Sequence, residues 1–344
     1  MSSKVDITKP NIIFIIVDAV SYKYSWLSSK DFMPLLYSRK REFLNFHNHY
    51  AVAANTKANF ATMLSGVYPS LHKVVSKEHS FRNNKYGYIH ELAQKFRYKS
   101  YYYTTTPLWH ADKIDDNLGF NEITWLSPSM GDYYIPGLNY NELIKLKIEE
   151  VKKDSYFLLL HYADAHQPFE SPEKYLNRKD TINISKYKYR SFLDLVKQAK
   201  NYIRFKIDDQ KIYRKYPLLK NNIYRPFIRV ERYKGFYDDI LNVTDLYNEY
   251  ILLMKECSLY LDKALNSFLD YIKKENSENT IVVLLADHGT QIDADKYENE
   301  TYLYEDMIHV PLSIITYDEK LNKRYNLQED KNNLTSHIDI YETL

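Results

Sequence analysis

The sequence predicts an α/β fold in which helices sandwich a large, mostly parallel mixed sheet. Three apolar segments of strand length each end in polar residues: NIIFIIVDA (11–19), SYFLLLHYADAH (155–166) and TIVVLLADHG (280–289). HVPLSIITYD (309–318) is typical of a fourth strand. Residues 239–275 keep apolar side chains at spacings of three and four, as an amphipathic helix does. Apolar strands that alternate with helices indicate a parallel sheet covered on both faces.

Length and composition favour one domain over residues 1–344. Of the 344 residues, 44% are apolar, which is enough to bury a large core. The single cysteine, Cys257, excludes an internal disulfide and a metal cluster built on cysteines. The longest apolar runs have strand length, so no transmembrane segment is expected, and the first residues lack the apolar core of a signal peptide. These features predict a cytoplasmic protein.

Charge is distributed unevenly along the chain. Residues 171–235 hold 18 Lys and Arg against 6 Asp and Glu, a local charge of +12, while the whole chain carries +2. We expect this stretch, the basic insertion, to form a helical cap over the carboxyl ends of the strands. Its charge there would attract a polyanion or a membrane surface. A solvated helical face without a partner is the alternative reading of the same pattern.

Polar side chains at the strand ends indicate a metal site. In α/β sheets of this kind, ligands bind beyond the carboxyl ends of the strands. Asp18 follows the first strand, and Asp287 and His288 follow the third. Carboxylate and imidazole groups suit Zn²⁺, Mn²⁺ or Mg²⁺. Three further groups follow the middle strand: His161, Asp164 and His166. Their spacing leaves open whether they serve acid–base chemistry or a second metal.

The segment NTKANFATMLSGVYPS (55–70) predicts a helix that begins near Thr56 and ends at Gly66. Thr56 is then either the helix cap or a nucleophile activated by a neighbouring cation. The N–H groups and the dipole at such an N-terminus favour a bound phosphoryl or sulfuryl group. We expect the Asn59 amide to donate to an oxygen of that group. Lys57 either adds positive charge or faces solvent.

Six segments resemble the alkaline phosphatase superfamily, particularly its sulfatase-like branch: NIIFIIVDAV, NHYAVAANTKANFATMLSGVYPSLHKV, FLLLHYADAHQPF, NTIVVLLADHGTQ, TYLYEDMIHVPLSI and SHIDIYETL. They occur in the family's order and span residues 11–344, nearly the whole chain. The resemblance implies the same α/β sandwich that strand and helix patterns predict. It also implies a metal held by four residues: Asp18, Thr56, Asp287 and His288. One or two ions are implied, Zn²⁺ or Mn²⁺ first, with Mg²⁺ or Ca²⁺ as alternatives.

The resemblance assigns roles to the remaining polar residues as well. Thr56 takes the place of the nucleophile, and His166 resembles the family's substrate-binding or leaving-group histidine. His161 joins Asn59 and Lys57 as a substrate-binding candidate. Two residues are candidates for a second metal or for acid–base chemistry: Asp164 and His337. His166 follows Asp164 by only two residues, a shorter spacing than the related phosphodiesterases use for a second zinc, so the number of metals stays open.

The nucleophile position departs from that of sulfatases proper. Those carry Cys or Ser, oxidised to formylglycine and followed by x-Pro-x-Arg, whereas this chain has Thr56, Ala58 and Phe60 at the corresponding positions. Threonine cannot form that aldehyde, so ordinary sulfatase chemistry is not expected. Thr-x-x-Asn before a Gly-x-Tyr-Pro turn resembles the nucleotide pyrophosphatase/phosphodiesterase branch. A threonine nucleophile is also found in phosphoglycerol and phosphoethanolamine transferases.

Together these patterns predict a metal-dependent phosphoryl-group hydrolase or transferase that works through a covalent phosphothreonine. The expected substrate is an anionic phosphate ester: a phosphodiester, a nucleotide, or a phosphate on a polyanionic glycan or lipid. No specific nucleic-acid binding is expected. Hydrolysis of a sulfuric ester or a phosphonate at the same site is the first alternative. The second is an inactive module that binds a polyanion through the basic insertion.

Overall fold

The computed structural model describes residues 9–76, 79–81, 84–104, 119–125, 136–166, 244–290, 303–325 and 333–343. The basic insertion lies outside these ranges, so its form as a helical cap stays a prediction. Of the helices that the structure describes, none has the length and apolar character that crossing a membrane requires.

A seven-stranded mixed sheet forms the centre of the fold. Its strands, in chain order, are β1 Asn11–Val17, β2 Leu44–Phe46, β4 Lys99–Thr104, β5 Glu122–Trp125, β6 Tyr156–Tyr162, β7 Thr280–Ala286 and β8 Leu312–Ile315. The spatial order is β2-β8-β7-β1-β6-β4-β5. The strands from β7 to β5 run parallel, and β8 is antiparallel to both of its neighbours. The mostly parallel mixed sheet predicted from the sequence is confirmed.

Helices and a small second sheet complete the described part of the chain. The helices are α1 Pro34–Arg39, α2 Thr56–Ser65, α3 Pro69–His72, α4 Ile89–Lys95, α5 Gly137–Val151, α6 Thr244–Glu275, α7 Glu305–Ile308, α8 Glu319–Tyr325 and α9 Asp339–Thr343. Strand β3, His49–Tyr50, pairs in parallel with β9, Thr335–Ser336. Helix α2 ends at Gly66, whose φ of 69° is the left-handed conformation that glycine adopts at low cost.

Both faces of the central strands are buried, as their continuous apolar sequences predict. On β1, Ile13 and Ile15 pack into the core on the side of α5 and α6. Phe14 and Ile16 pack into the core on the side of α2 and α4. Burying one such side chain contributes about 1.5–3 kcal/mol. Because β1 packs against a core on each face, the position of its carboxyl end is well defined. The residues that follow β1 start from that defined position.

Candidate active site

The carboxyl ends of β1 and β7 place two carboxylates side by side. The strands are parallel neighbours, and Val17 pairs with Ala286. The next residues, Asp18 and Asp287, therefore leave the sheet at the same edge, and both are buried. The Asp287 N–H donates to the carbonyl of Val17 at 3.3 Å, which holds the two strand ends together. The polar groups that follow these two strands therefore lie at one edge of the sheet.

A left-handed residue turns the chain after Asp18. Ala19 has a φ of 62°, a conformation that costs a residue with a Cβ roughly 1–2 kcal/mol. The Ala19 N–H donates to Asp287 Oδ1 at 3.1 Å, and the Ala19 carbonyl accepts from the Thr290 hydroxyl at 2.7 Å. These bonds offset the strain and fix Asp18 relative to Asp287. Sequence reasoning missed this turn, because an alanine carries no signal for a left-handed backbone.

Asp18, Asp287 and His288 form a group with the geometry of a metal site. One ligand atom of each lies within 4.8 Å of the others, and no other group of three or more His, Cys, Asp or Glu does so in the described ranges. His288 Nε2 is 3.6 Å from Asp18 Oδ1 and 3.5 Å from Asp287 Oδ2. His288 Nδ1 donates to the Gly289 carbonyl at 2.8 Å, so Nε2 of the neutral ring carries the lone pair that a metal needs.

The electrostatics of this group fit a divalent cation. Burial favours the neutral form of Asp18, but neighbouring histidines, above all His166, outweigh burial and hold its pKa below the usual range. Burial and the charge of Asp18 raise the pKa of Asp287. Asp287 Oδ1 accepts two N–H groups, from Ala19 and His288, whereas the buried Oδ2 has no hydrogen-bond partner among the residues that the structure describes. A buried oxygen without a donor is costly unless it binds a cation.

Thr56 is the first residue of α2 and is not its cap. Asn55 precedes the helix in an extended conformation, and its side chain accepts the Ala58 N–H at 3.0 Å. The Thr56 hydroxyl instead lies 3.1 Å from His288 Nε2 and 3.5 Å from Asp18 Oδ1. The helix begins where the sequence predicts, but the capping role considered for Thr56 belongs to Asn55. The hydroxyl is thus directed at the candidate metal group.

Two histidines from the end of β6 approach Asp18. His161 Nε2 is 3.2 Å from Asp18 Oδ2, and His161 Nδ1 is 3.3 Å from the Thr104 hydroxyl. Because His161 is completely buried, it has no surface for a substrate. Its contacts make it a support for the Asp18 carboxylate rather than the predicted substrate-binding residue. His166 Nε2 is 4.0 Å from Asp18 Oδ1, and this side chain is 32% exposed, so a substrate can reach it.

The structure also shows the contacts of Asn59 and Lys57, the two substrate-binding candidates on α2. The Asn59 amide makes four hydrogen bonds of 2.7–3.2 Å with the backbone of the preceding loop: Oδ1 accepts from Val52 and Ala53, and Nδ2 donates to Ala53 and Asn55. Both amide hydrogens are committed, so Asn59 has none left for a substrate oxygen. Lys57 is buried rather than solvent-facing, and its ammonium lies 5.1 Å from the centroid of the Phe81 ring.

Asp164 and His337, the candidates for a second metal or for acid–base chemistry, are buried, and within the described ranges neither belongs to a group of possible metal ligands. Asp164 Oδ1 accepts the Gly137 N–H at 2.8 Å, at the first residue of α5. Burial raises the pKa of Asp164 to about 7. The buried ring of His337 contacts the Ala286 carbonyl at 3.1 Å and Asn59 Oδ1 at 3.2 Å. Burial lowers the pKa of His337 to about 3, which keeps its ring neutral.

Gly289, in the Asp-His-Gly segment, is required by the close approach of two chain segments. A Cβ at this position would lie 1.9 Å from the Asp306 carbonyl oxygen and 2.7 Å from Ser21 Oγ. The Gly289 N–H donates to the Met307 carbonyl at 2.7 Å, and Ser21 Oγ donates to the Asp306 carbonyl at 2.7 Å. Because the Gly289 carbonyl also accepts from His288, this contact fixes the imidazole. Gly289 belongs to the Asp-His-Gly segment that the sequence analysis singled out. Nothing in the sequence pattern pointed to the contact that Ser21 makes.

We expect Gly289→Ala to destabilise the fold and abolish activity, because a methyl group cannot fit against a backbone carbonyl. Overpacking of this kind costs about 1–3 kcal/mol, measurable as a lower free energy of unfolding in urea. Gly66→Ala is the matched control. Its Cβ would meet the Tyr341 side chain at 2.8 Å, away from the site, so it should lose stability and keep its kcat. Wild-type stability and turnover in Gly289→Ala would contradict this assignment.

Fold and site together define an α/β protein with a candidate metal centre at the carboxyl edge of its sheet. A model of the Sulfatase family matches residues 10–344, and the chain belongs to that family. Its structural neighbours lie in the alkaline phosphatase superfamily, which confirms the resemblance seen in the sequence. No curated protein sequence shows significant similarity to the chain.

Three solved structures illustrate the neighbourhood. A protein in complex with its substrate D-glucosamine-2-N,6-O-disulfate has a TM-score of 0.66 at 15% identity, covering 97% of this chain and 75% of that one. Phosphonate monoester hydrolase from Silicibacter pomeroyi has a TM-score of 0.64 at 16% identity, covering 97% of this chain and 72% of that one. The C-terminal periplasmic domain of EptC from Escherichia coli, in complex with Zn, has a TM-score of 0.62 at 10% identity, covering 97% of this chain and 80% of that one. At these identities the likeness establishes the fold alone.

Proposed function

We propose that this chain is a metal-dependent phosphoryl-group hydrolase or transferase that forms a covalent phosphothreonine at Thr56. The observation that carries the proposal is the position of the Thr56 hydroxyl. It stands at the start of α2, released from capping by Asn55, and lies within 3.5 Å of groups from both β1 and β7. A hydroxyl with only a structural role has no need of two ionisable partners from separate strands.

In this proposal the Thr56 oxygen attacks phosphorus in line with the leaving oxygen. Asp18 Oδ1, 3.5 Å from the Thr56 oxygen, is within reach of its proton, whereas His288 Nε2, at 3.1 Å, would have its lone pair on the cation. His166, the partly exposed histidine at the end of β6, donates a proton to the leaving oxygen. Water or an acceptor hydroxyl then takes the phosphoryl group from Thr56. Hydrolase and transferase differ only in that acceptor.

Negative charge on the phosphoryl oxygens needs a positive environment. Helix α2 begins at Thr56, so the positive end of its dipole faces any group bonded to that hydroxyl. A divalent cation held by Asp18, Asp287, His288 and the Thr56 oxygen would lower the pKa of the hydroxyl and neutralise charge on the phosphoryl group. Zn²⁺ and Mn²⁺ suit this mixture of carboxylate and imidazole ligands.

Hydrolysis of a sulfuric ester or a phosphonate at the same site is the alternative. Two structural neighbours are the reason to consider it. One neighbour was solved with a disulfated glucosamine substrate, and another is a phosphonate monoester hydrolase. Threonine at the nucleophile position argues for phosphoryl over sulfuryl transfer, because it cannot become formylglycine. The convergence of Asp18, Thr56, Asp287 and His288 argues against an inactive polyanion-binding module, since such a module has no use for an intact site.

The proposal is tested with the purified protein, stripped by chelator and reloaded separately with Zn²⁺ or Mn²⁺. Rates are compared on p-nitrophenyl phosphate, its bis-ester, p-nitrophenyl sulfate and a p-nitrophenyl phosphonate. We expect a phosphate ester to react fastest and a phosphoryl group to be trapped on the peptide that contains Thr56. A faster sulfate or phosphonate ester would favour the alternative chemistry. Absence of turnover on every ester with either metal would refute the proposal.

A further inference from the structure

The loop that leads into α2 is held by a single side chain. Asn59 is completely buried and ties both ends of residues 52–55 to the first turn of α2 through its four backbone hydrogen bonds. This loop delivers Thr56 to the strand ends. The position of the Thr56 hydroxyl relative to His288 therefore depends on the placement of the Asn59 amide.

His337 connects that amide to the strand that carries the candidate metal ligands. Its Nδ1 lies 3.2 Å from Asn59 Oδ1, and its Nε2 lies 3.1 Å from the carbonyl of Ala286, the residue before Asp287. The His337 N–H donates to the Tyr50 carbonyl at 3.2 Å, next to the pairing of β3 with β9. The imidazole of His337 thus contacts two distant parts of the chain, at Asn59 and at Ala286, while the backbone of His337 is bonded to Tyr50.

The chemistry of these contacts indicates a spacer rather than an acid, a base or a metal ligand. A carbonyl and an amide oxygen are both acceptors, so the neutral ring of His337 donates to one of them at a time. Asn59 Oδ1 already accepts two N–H groups, which leaves the Ala286 carbonyl as the better partner for Nε2–H. Nδ1 then has no proton, so its 3.2 Å contact with Asn59 Oδ1 is a packing contact and not a hydrogen bond. The ring is completely buried, and both of its nitrogens face protein groups.

We propose that Asn59 and His337 act as a positioning pair that sets the distance between the Thr56 hydroxyl and the Asp287–His288 end of β7. The proposal rests on the function proposed for Thr56. Neither residue touches the substrate. Displacing a reacting group by about 1 Å can lower a rate on the order of 10²-fold, so the pair should affect kcat far more than KM.

The test uses full-length, metal-loaded variants and the p-nitrophenyl ester that the wild type turns over best. His337→Leu keeps most of the volume and removes both ring nitrogens, whereas His337→Gln keeps an N–H donor for the Ala286 carbonyl. We expect His337→Leu and Asn59→Ala each to lower kcat by about 10–100-fold, with KM nearly unchanged. We expect His337→Gln to recover most of kcat. The double variant should be no slower than the slower single variant, because members of one unit are not additive.

His72→Leu is the matched control. His72 is also buried against α2, but it contacts the Thr62 hydroxyl, at 3.0 Å, and not Thr56 or the loop that precedes it. This variant should lower the melting temperature and keep kcat. A wild-type kcat in His337→Leu would contradict the positioning role. So would a double variant whose loss of kcat is the product of the losses in the two single variants.

Hydrogen exchange provides a readout that does not depend on activity. We expect the amides of Val52 and Ala53 to exchange faster in His337→Leu and Asn59→Ala than in wild type or His72→Leu. Exchange at the wild-type rate in His337→Leu would refute the positioning role even if the protein turned over no ester at all. Faster exchange in a protein without phosphatase activity would refute the function proposed for Thr56 and leave the pair standing.

Discussion

Thr56→Ala should lose at least about 10³-fold in kcat, because without the nucleophile only binding and electrostatic stabilisation remain. The fold should be retained, since Asn55 caps α2 and the Thr56 side chain makes no contribution to that cap. Metal binding should be largely retained too, because Asp18, Asp287 and His288 remain. The measurements are kcat on the preferred ester, metal content, and the mass of the Thr56 peptide after a rapid quench.

Two controls separate the nucleophile from a buried threonine with a structural role. Thr56→Ser keeps the hydroxyl and should keep most of the activity and the phosphorylated peptide. Thr62→Ala removes a fully buried hydroxyl of α2, which contacts His72 instead of the site. It should lower the melting temperature and leave kcat unchanged. If Thr56→Ala retained more than a small part of the wild-type rate, covalent catalysis at this residue would have to be abandoned.

The fold was predictable because its signals are local. The strands β1, β6 and β7 are continuous apolar runs, and such runs have few alternatives to a central place in a parallel sheet. Once they are parallel neighbours, their carboxyl ends share an edge. That geometry alone brings Asp18 to Asp287 and His288. The start of α2 was also predicted correctly from the sequence. The position of Thr56 near the same edge of the sheet could therefore be predicted as well.

The roles of supporting residues were not predictable, because they depend on which side chains face which neighbours. Asn59 was expected to contact a substrate, yet its amide is consumed by the loop beside it. His161 was a substrate-binding candidate, and its side chain is completely buried. Asp164 follows a strand just as Asp18 does, but it turns to the N-terminus of α5. Spacing along a chain cannot distinguish these directions.

Asp287→Ala should lower the metal content of the purified protein and its activity together. Within the described part of the chain, the buried Asp287 Oδ2 has no hydrogen-bond partner, and the other carboxylate oxygen, Oδ1, holds the turn at Ala19. Changes to groups outside the ligand set typically lower metal affinity about 10–100-fold, so loss of a ligand should cost at least ~100-fold. Asp18→Ala should behave in the same way. The measurement is metal stoichiometry after dialysis against a graded series of free Zn²⁺ or Mn²⁺ concentrations.

Asp164→Asn is the matched control for Asp287→Ala, because Asp164 is also a buried carboxylate that follows a strand of the same sheet. Its amide oxygen can still accept the Gly137 N–H, so the fold should be preserved. If the ion is bound only by the Asp18, Asp287 and His288 group with Thr56, this variant keeps full stoichiometry. Equal metal loss in Asp164→Asn and Asp287→Ala would revive the second metal site considered from the sequence. Unchanged metal content in both Asp18→Ala and Asp287→Ala would show that the ion, if any, binds elsewhere.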